Sequence, residues 1–399
     1  MSDELLRRIV TDPGVIADPY PLLRELRETS PVHKLGFADY WILTRFEDCR
    51  AVLRDQRLGK PGAGDLVPSL RGAPTRDAGG DRSMLFLNPP DHTRIRALVS
   101  RAFTPRRVEQ LRASIETMTA ELLDDLAAGG GDDLMARLAF PLPANVISEL
   151  VGIPRSERDW LRPLILDLAA TLEPGRGAED AERARVSRDK VRDYLADLID
   201  RRRAEPADDL LSGMIAAADG TDRLTQGEMV MSVILIYGAG FETTTNLIGN
   251  MVLTLLRNPD QFARLRADRS LVPATVEEVL RYEPPVQVDS RYAFEDVEVA
   301  GHVVQKGFVV MTLLGAANRD PAVIEDPDRF DVGRSEIPLL SFSSGIHYCL
   351  GASLARLEAQ VVLAGLLDRF STWTLLEESP PWKPRLTLRG LARLPVALS

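Results

Sequence analysis

The run Phe342-Ser343-Ser344-Gly345-Ile346-His347-Tyr348-Cys349-Leu350-Gly351-Ala352-Ser353-Leu354-Ala355 combines a thiol, two glycines and the start of a helix. Cys349, at its centre, is one of two cysteines in 399 residues. Gly345 is free to take the positive φ of a turn, and Gly351 leaves room for a flat ligand against the backbone. After Cys349, the run Ala352-Ser353-Leu354-Ala355-Arg356-Leu357-Glu358 places helix formers and apolar residues at helical spacing, which predicts a helix. A thiol at that junction lies near the positive helix end and its unbonded N–H groups. Both favour the thiolate. Most unpaired cysteines are simply buried packing residues, so it is the surrounding loop that argues for chemistry.

A thiolate in a glycine-lined loop suits axial ligation of haem iron, where its electron donation favours O–O cleavage. The set Phe342, Gly345, His347, Cys349, Gly351, Leu354 and Ala355 resembles the haem-binding signature of the cytochrome P450 family, bacterial soluble type. The pair Ser343-Ser344 departs from the Gly-His that many bacterial relatives carry, at positions the pattern leaves open.

Composition narrows the partners. The chain is 45% hydrophobic and 27% charged, enough for a large core and a soluble surface, and its net charge of −10 argues against nucleic acid. Cys49 and Cys349 lie far apart in sequence, which reads as a cytoplasmic protein rather than a disulfide scaffold. The acidic start, Met-Ser-Asp-Glu-Leu-Leu, is not expected to be a secretory signal. From Met229 to Leu256 the only charged residue is Glu242, and that length could span a bilayer. A carboxylate at the bilayer centre is costly, so the stretch reads as a helix buried in a large protein, and no membrane partner is expected.

Taken in order, the chain predicts a helix from Pro21 to Glu28, strands within Pro31 to Thr44 turning at Gly36, and a helix from Phe46 to Leu53. Cys49 on that helix reads as packing. A long loop is expected over 58–80, rich in Gly, Pro and Asp. Residues 106–204 read as largely helical, broken at Gly129-Gly130-Gly131, Pro141, Pro143 and Glu173–Gly177. Near 178–203, Val191, Tyr194, Leu195, Leu198 and Ile199 fall at helical spacing. Thr225-Gln226-Gly227-Glu228 is a capping-box pattern that opens the central helix. Gly238 and Gly240 inside that helix each cost about 1 kcal/mol against alanine and so invite a reason. Glu278-x-x-Arg281 can meet on one helix face, which alone describes many surface pairs. Further strands are expected at Tyr292–Phe294, Val297–Val299 and Phe308–Leu313.

The resemblance extends over residues 10–398 and implies one large domain, mainly α with small β-sheets. It implies a haem-thiolate monooxygenase that inserts one atom of O2 into a small organic substrate, in secondary-metabolite biosynthesis. The cofactor would be haem b (iron protoporphyrin IX) ligated by Cys349, with Ala239, Gly240, Phe342, Gly345 and Gly351 around it. His92, Arg96, Arg291 and His347 would hold its propionates. Ala239-Gly240-Phe241-Glu242-Thr243-Thr244 resembles the oxygen-activation motif, so Glu242 and Thr243 would relay protons. Leu235, Val286, Gln287 and Val288 would line the substrate pocket. Glu278, Arg281 and Arg329 would form a buried structural cluster. Nothing resembles a flavin or iron–sulfur module, which implies electrons from a ferredoxin and its reductase. Between Arg94 and Arg112 six arginines face a single carboxylate, Glu109, which marks Arg101 and Arg112 as docking candidates. Two other readings stay open, a peroxide-driven peroxygenase and a non-catalytic recruitment protein. Glu242-Thr243 argues against the first, Thr243 with Cys349 against the second. A hydrolase built on Cys349 and His347, two residues apart on one loop, is poor geometry.

Overall fold

The computed structural model describes residues 2–61, 83–129, 132–169, 178–218, 224–385 and 387–399. Most of the loop expected over 58–80, the break at Glu173–Gly177 and Gly130-Gly131 lie outside these residues. The described chain is mainly α with three small sheets. It forms two compact units, Met1–Gly59 with Ile115–Pro141 and Thr243–Ser399, and Lys60–Ser114 with Leu142–Glu242. Neither is a contiguous stretch of sequence.

In the first unit a five-stranded sheet runs in the order Val32–Lys34, Tyr40–Leu43, Val309–Leu313, Val288–Ala293 and Leu58–Gly59. Tyr40–Leu43 and Val309–Leu313 pair in parallel, with Ile42 opposite Met311, and the other pairs are antiparallel. Successive strand residues face opposite ways, and both faces are covered. Trp41 and Leu43 enter one core with Phe46, Cys49, Leu58 and Val310. Ile42, between them, enters the other with Leu23, Leu26, Val288 and Leu313. Cys49 is fully buried, its Sγ donates to the Leu43 carbonyl at 3.5 Å, and burial pushes its pKa well up. The packing role expected of it holds.

In the second unit the helices Arg155–Ala169 and Ala178–Ala204 pack together. Val191, Leu195, Leu198 and Ile199 are buried, as their spacing predicts, and the Tyr194 hydroxyl donates to Glu157. Pro141 and Pro143 open the helix Pro141–Val151 rather than break one, since proline fits a first helical turn. The central helix, Gln226–Arg257, belongs to both units. It starts in the expected capping box: the Glu228 N–H donates to Thr225 Oγ1 at 3.0 Å, and the Thr225 N–H donates to Glu228 Oε2 at 2.9 Å.

The helix Ala352–Arg369 buries Leu354, Leu357, Val361 and Val362, and with them Glu358. Glu358 Oε2 has no hydrogen-bond partner among the described residues, and burial pushes the carboxyl pKa up to about 8 from an ordinary 4.5. The folded state therefore holds a proton that the unfolded state gives up above pH 4.5. The stability supplied by the neutral acid is complete below 4.5 and falls as pH rises through about 8. Glu358→Gln should flatten that slope and stabilise the protein by about 3 kcal/mol at pH 7. Urea unfolding at several pH values measures this, and equal slopes in parent and variant would refute it.

Candidate active site

The Cys349 loop is closed by backbone. The Cys349 N–H donates to the Phe342 carbonyl at 2.9 Å and the Tyr348 N–H to the Gly345 carbonyl at 3.1 Å. Gly345 sits at φ +71°, and a Cβ there would lie 2.5 Å from the Leu53 carbonyl oxygen, so glycine is required twice over. Gly351 is the N-cap of the helix Ala352–Arg369, two residues beyond the thiol. A Cβ on Gly351 would meet nothing within 4 Å. Cys349 itself is exposed, unusual for a cysteine, whereas Cys49 is not. An exposed thiol before a helix N-terminus, with open space at the adjacent glycine, fits a thiolate ligand to the iron of a flat cofactor. Beneath the loop, Phe342 is stacked on by the Arg356 guanidinium at 4.3 Å, and Arg356 is held by Glu277 at 2.5 and 2.9 Å.

A chain of buried hydrogen bonds fixes this loop to the helix Val272–Tyr282. Glu278 and Arg281 are both fully buried and meet through two bonds of 2.8 Å. The Arg281 guanidinium also donates to the carbonyls of Asn318, Pro327 and Arg329. The Asn318 side chain in turn accepts from the Leu340 N–H and donates to Ser341 Oγ, both at 2.7 Å. Those two residues lead directly into Phe342. One expectation needs correcting. The second arginine on Glu278 is Arg334, at 3.4 Å, whereas the exposed Arg329 takes part only through its carbonyl. Arg329 enters the expected cluster by resemblance alone, which gives Asn318 no part in it. Arg281→Ala would leave the buried Glu278 carboxylate with only the longer Arg334 pair and the Asp331 N–H, and take a donor from three carbonyls. Loss of one partner from a buried pair costs about 3–5 kcal/mol, so the variant should unfold easily and hold little cofactor. Chemical denaturation checks this, and a parental midpoint would contradict a cluster that carries the loop.

Arg291, on the strand Val288–Ala293, is 2% exposed and donates to Asp289 Oδ1 at 2.9 Å. His347 ends a short 3-10 turn, Gly345–His347. The residues expected to face substrate divide. Val286 bridges to Leu388 and packs against the core that contains Leu53 and Leu58. Gln287 is 7% exposed, and its amide donates to Tyr20 at 3.3 Å and to the Pro284 carbonyl at 2.7 Å. That is a structural setting, and Gly315 opposite leaves no room for a Cβ against the Gln287 amide. Gln287 and Val288 also line an apolar cavity of about 590 Å³ beside the helix Ser2–Thr11, with Leu6, Ile9, Leu23 and Met311. Tyr20, which donates to Glu283, joins the Gln287 amide to a buried polar network.

In the second unit, His92 is buried on the helix Asp91–Ser100, with Arg96 one turn on and half-buried. On the central helix Ala239 is exposed although Tyr237 and Phe241 on either side are 1% exposed. Leu235, Ala239 and Thr243, at spacing of four, are all at least partly exposed, so one face of an otherwise buried helix is open there. A Cβ on Gly238 would meet nothing within 4 Å and one on Gly240 would press on Ile147 at 3.2 Å, so packing explains only the second glycine. Glu242 is 3% exposed.

The basic cluster is weaker than the sequence implies. Arg94 is paired with Glu228, Arg107 with Asp208 and Arg112 with Glu109. Two of those acids lie more than a hundred residues away, so only the fold reveals them. Arg101 and Arg106 remain exposed. Among the described residues no helix is long and apolar enough to cross a membrane.

Known proteins resemble this chain over almost its whole length. The family model described as Cytochrome P450 matches residues 175–397. Cytochrome P450 107B1 of Saccharopolyspora erythraea is 44% identical over 386 residues, covering 94% of this chain and 93% of that one. The 6-deoxyerythronolide B hydroxylase of the same organism is 39% identical, covering 96% of each. Among solved structures, ligand-free CYP164A2 of Mycobacterium smegmatis superposes with a TM-score of 0.89 at 41% identity, covering 99% of both chains.

Proposed function

The chain belongs to the cytochrome P450 family and is a P450 monooxygenase, and from that premise we propose that it hydroxylates or epoxidises a polyketide-like secondary metabolite. The observation that carries the chemistry is the exposed Cys349 thiol, held by its backbone bond to Phe342 beside the open Gly351. When bound, haem b supplies the activation of O2 and the transfer of one oxygen atom, the other leaving as water.

The protein's own residues do the rest. Cys349 Sγ holds the iron, and the positive end of the helix Ala352–Arg369 favours its charged form. Arg291, His92, Arg96 and His347 hold the propionates, arginine being suited to a carboxylate by its planar fork. Ala239, on the open face of the central helix, would meet the cofactor with Gly240 beside it, and Glu242 with Thr243 Oγ1 would pass protons along that helix. Leu235, Val286, Gln287 and Val288 are the residues proposed to face substrate. The polyketide class rests on likeness to the 6-deoxyerythronolide B hydroxylase. Electrons arrive in the cytoplasm from an acidic ferredoxin and its reductase, with Arg101 and Arg106 the better docking candidates because Arg112 is engaged by Glu109.

The test is the absorption of the reduced carbon monoxide complex in the parent protein and in variants of its two cysteines. A red-shifted band in the parent supports thiolate ligation, and an unshifted band overturns it.

A further inference from the structure

Ser343 adopts φ +61°, the left-handed region that a residue with a side chain enters only at a cost. Glycine would sit there freely. A non-glycine residue held in that conformation marks a place to look for a function served by its side chain. The Ser343 hydroxyl donates to Asp289 Oδ2 at 2.6 Å. The other oxygen, Asp289 Oδ1, accepts from Arg291 Nη1 at 2.9 Å and from the Ser290 N–H at 2.7 Å. Arg291 Nη2 lies 3.5 Å from Ser343 Oγ, which closes a triangle of three side chains. Asp289 and Arg291 are 18% and 2% exposed, so the triangle is largely shielded from water. It also joins two chain segments, since Ser343 stands six residues before Cys349 in the thiol loop and Arg291 lies on the strand Val288–Ala293.

We infer that Ser343 is a positioning residue: its hydroxyl holds Asp289, and through Asp289 it holds Arg291, so that the thiol loop and the propionate-binding arginine are set together. This rests on the haem-thiolate reading above. A carboxylate that accepts two or three hydrogen bonds is fixed in rotation, and Asp289 without the serine hydroxyl loses the 2.6 Å bond to its second oxygen. Arg291, which also donates to the Ser290 carbonyl at 2.9 Å, would then lose part of what orients it and none of its charge. Backbone strain alone predicts the opposite, because a glycine there would relax the loop and hold the cofactor at least as well.

The measurement is the rate at which ferric holoprotein gives up haem to an excess of apomyoglobin. A hydrogen bond to a charged group is worth enough for about tenfold in a rate or equilibrium, so Ser343→Ala should release haem about tenfold faster. Ser343→Gly should also release it faster despite its relaxed backbone, and it remains informative if the alanine variant fails to fold. Both should keep the red-shifted carbon monoxide band, because the Cys349 N–H bond to Phe342 is untouched. In an Asp289→Ala background, Ser343→Ala should add less than about twofold, since coupled residues are not additive. Release within about twofold of the parent in both Ser343 variants would overturn the inference, and so would the same acceleration in both backgrounds. A parent that takes up no haem, or shows no red-shifted band, would sink the haem-thiolate reading and this inference with it. A parent with the band and indifferent Ser343 variants would sink only the inference.

Discussion

In a Cys349→His variant the reduced carbon monoxide complex loses its red-shifted band completely, while Cys49→Ser keeps it. The two cysteines differ in every property that ligation needs. Cys49 is fully buried in an apolar core, bonded to the Leu43 carbonyl, and has a pKa raised by that burial. It could reach a cofactor only if the sheet came apart. Cys349 is exposed, on a loop closed by its own N–H, with the positive end of an 18-residue helix two residues away. Imidazole at position 349 can still bind iron, so part of the haem should remain, but a neutral ligand does not donate electron density as a thiolate does. The absorption spectrum separates loss of haem from change of ligand, because haem content is measured independently. Loss of the band in Cys49→Ser instead would refute the assignment of the thiolate.

Local rules made part of this legible in the sequence. The positive φ of Gly345, the reciprocal Thr225–Glu228 cap and the buried stripe from Val191 to Ile199 all depend on residues within a few positions of one another. Glu278 and Arg281, three apart on a helix, belong with them, although only the fold shows that both are fully buried. What stayed hidden joins distant segments. Arg334 reaches Glu278 across 56 positions, and Arg94 reaches Glu228 across 134. The Gln287 amide reaches Tyr20 across 267. No periodicity encodes such pairs. Glu358 was hidden for another reason, since helical spacing says which face is buried but not that a carboxyl oxygen there will lack a partner among the described residues.

The largest functional effect expected short of losing the cofactor is in Thr243→Ala. Thr243 lies on the partly open face of the central helix, two turns beyond Leu235, and is followed by the buried Thr244. Alanine is a better helix former than threonine by up to about 0.7 kcal/mol, so the variant should fold at least as well as the parent. What it loses is the hydroxyl proposed to pass protons, and a placed proton-transfer group is worth roughly 10²–10⁴-fold. Reductant should still be consumed, because electron delivery does not pass through Thr243. Product formed per reductant should fall steeply and hydrogen peroxide should rise to take its place. Thr243→Ser, which restores the hydroxyl, should recover most of the product, whereas Thr243→Val, which keeps the shape, should not. The measurement is product, peroxide and reductant in the same reaction. A product yield in Thr243→Ala within about twofold of the parent would place it far below the range for a proton-transfer group, and Thr243 would leave the mechanism.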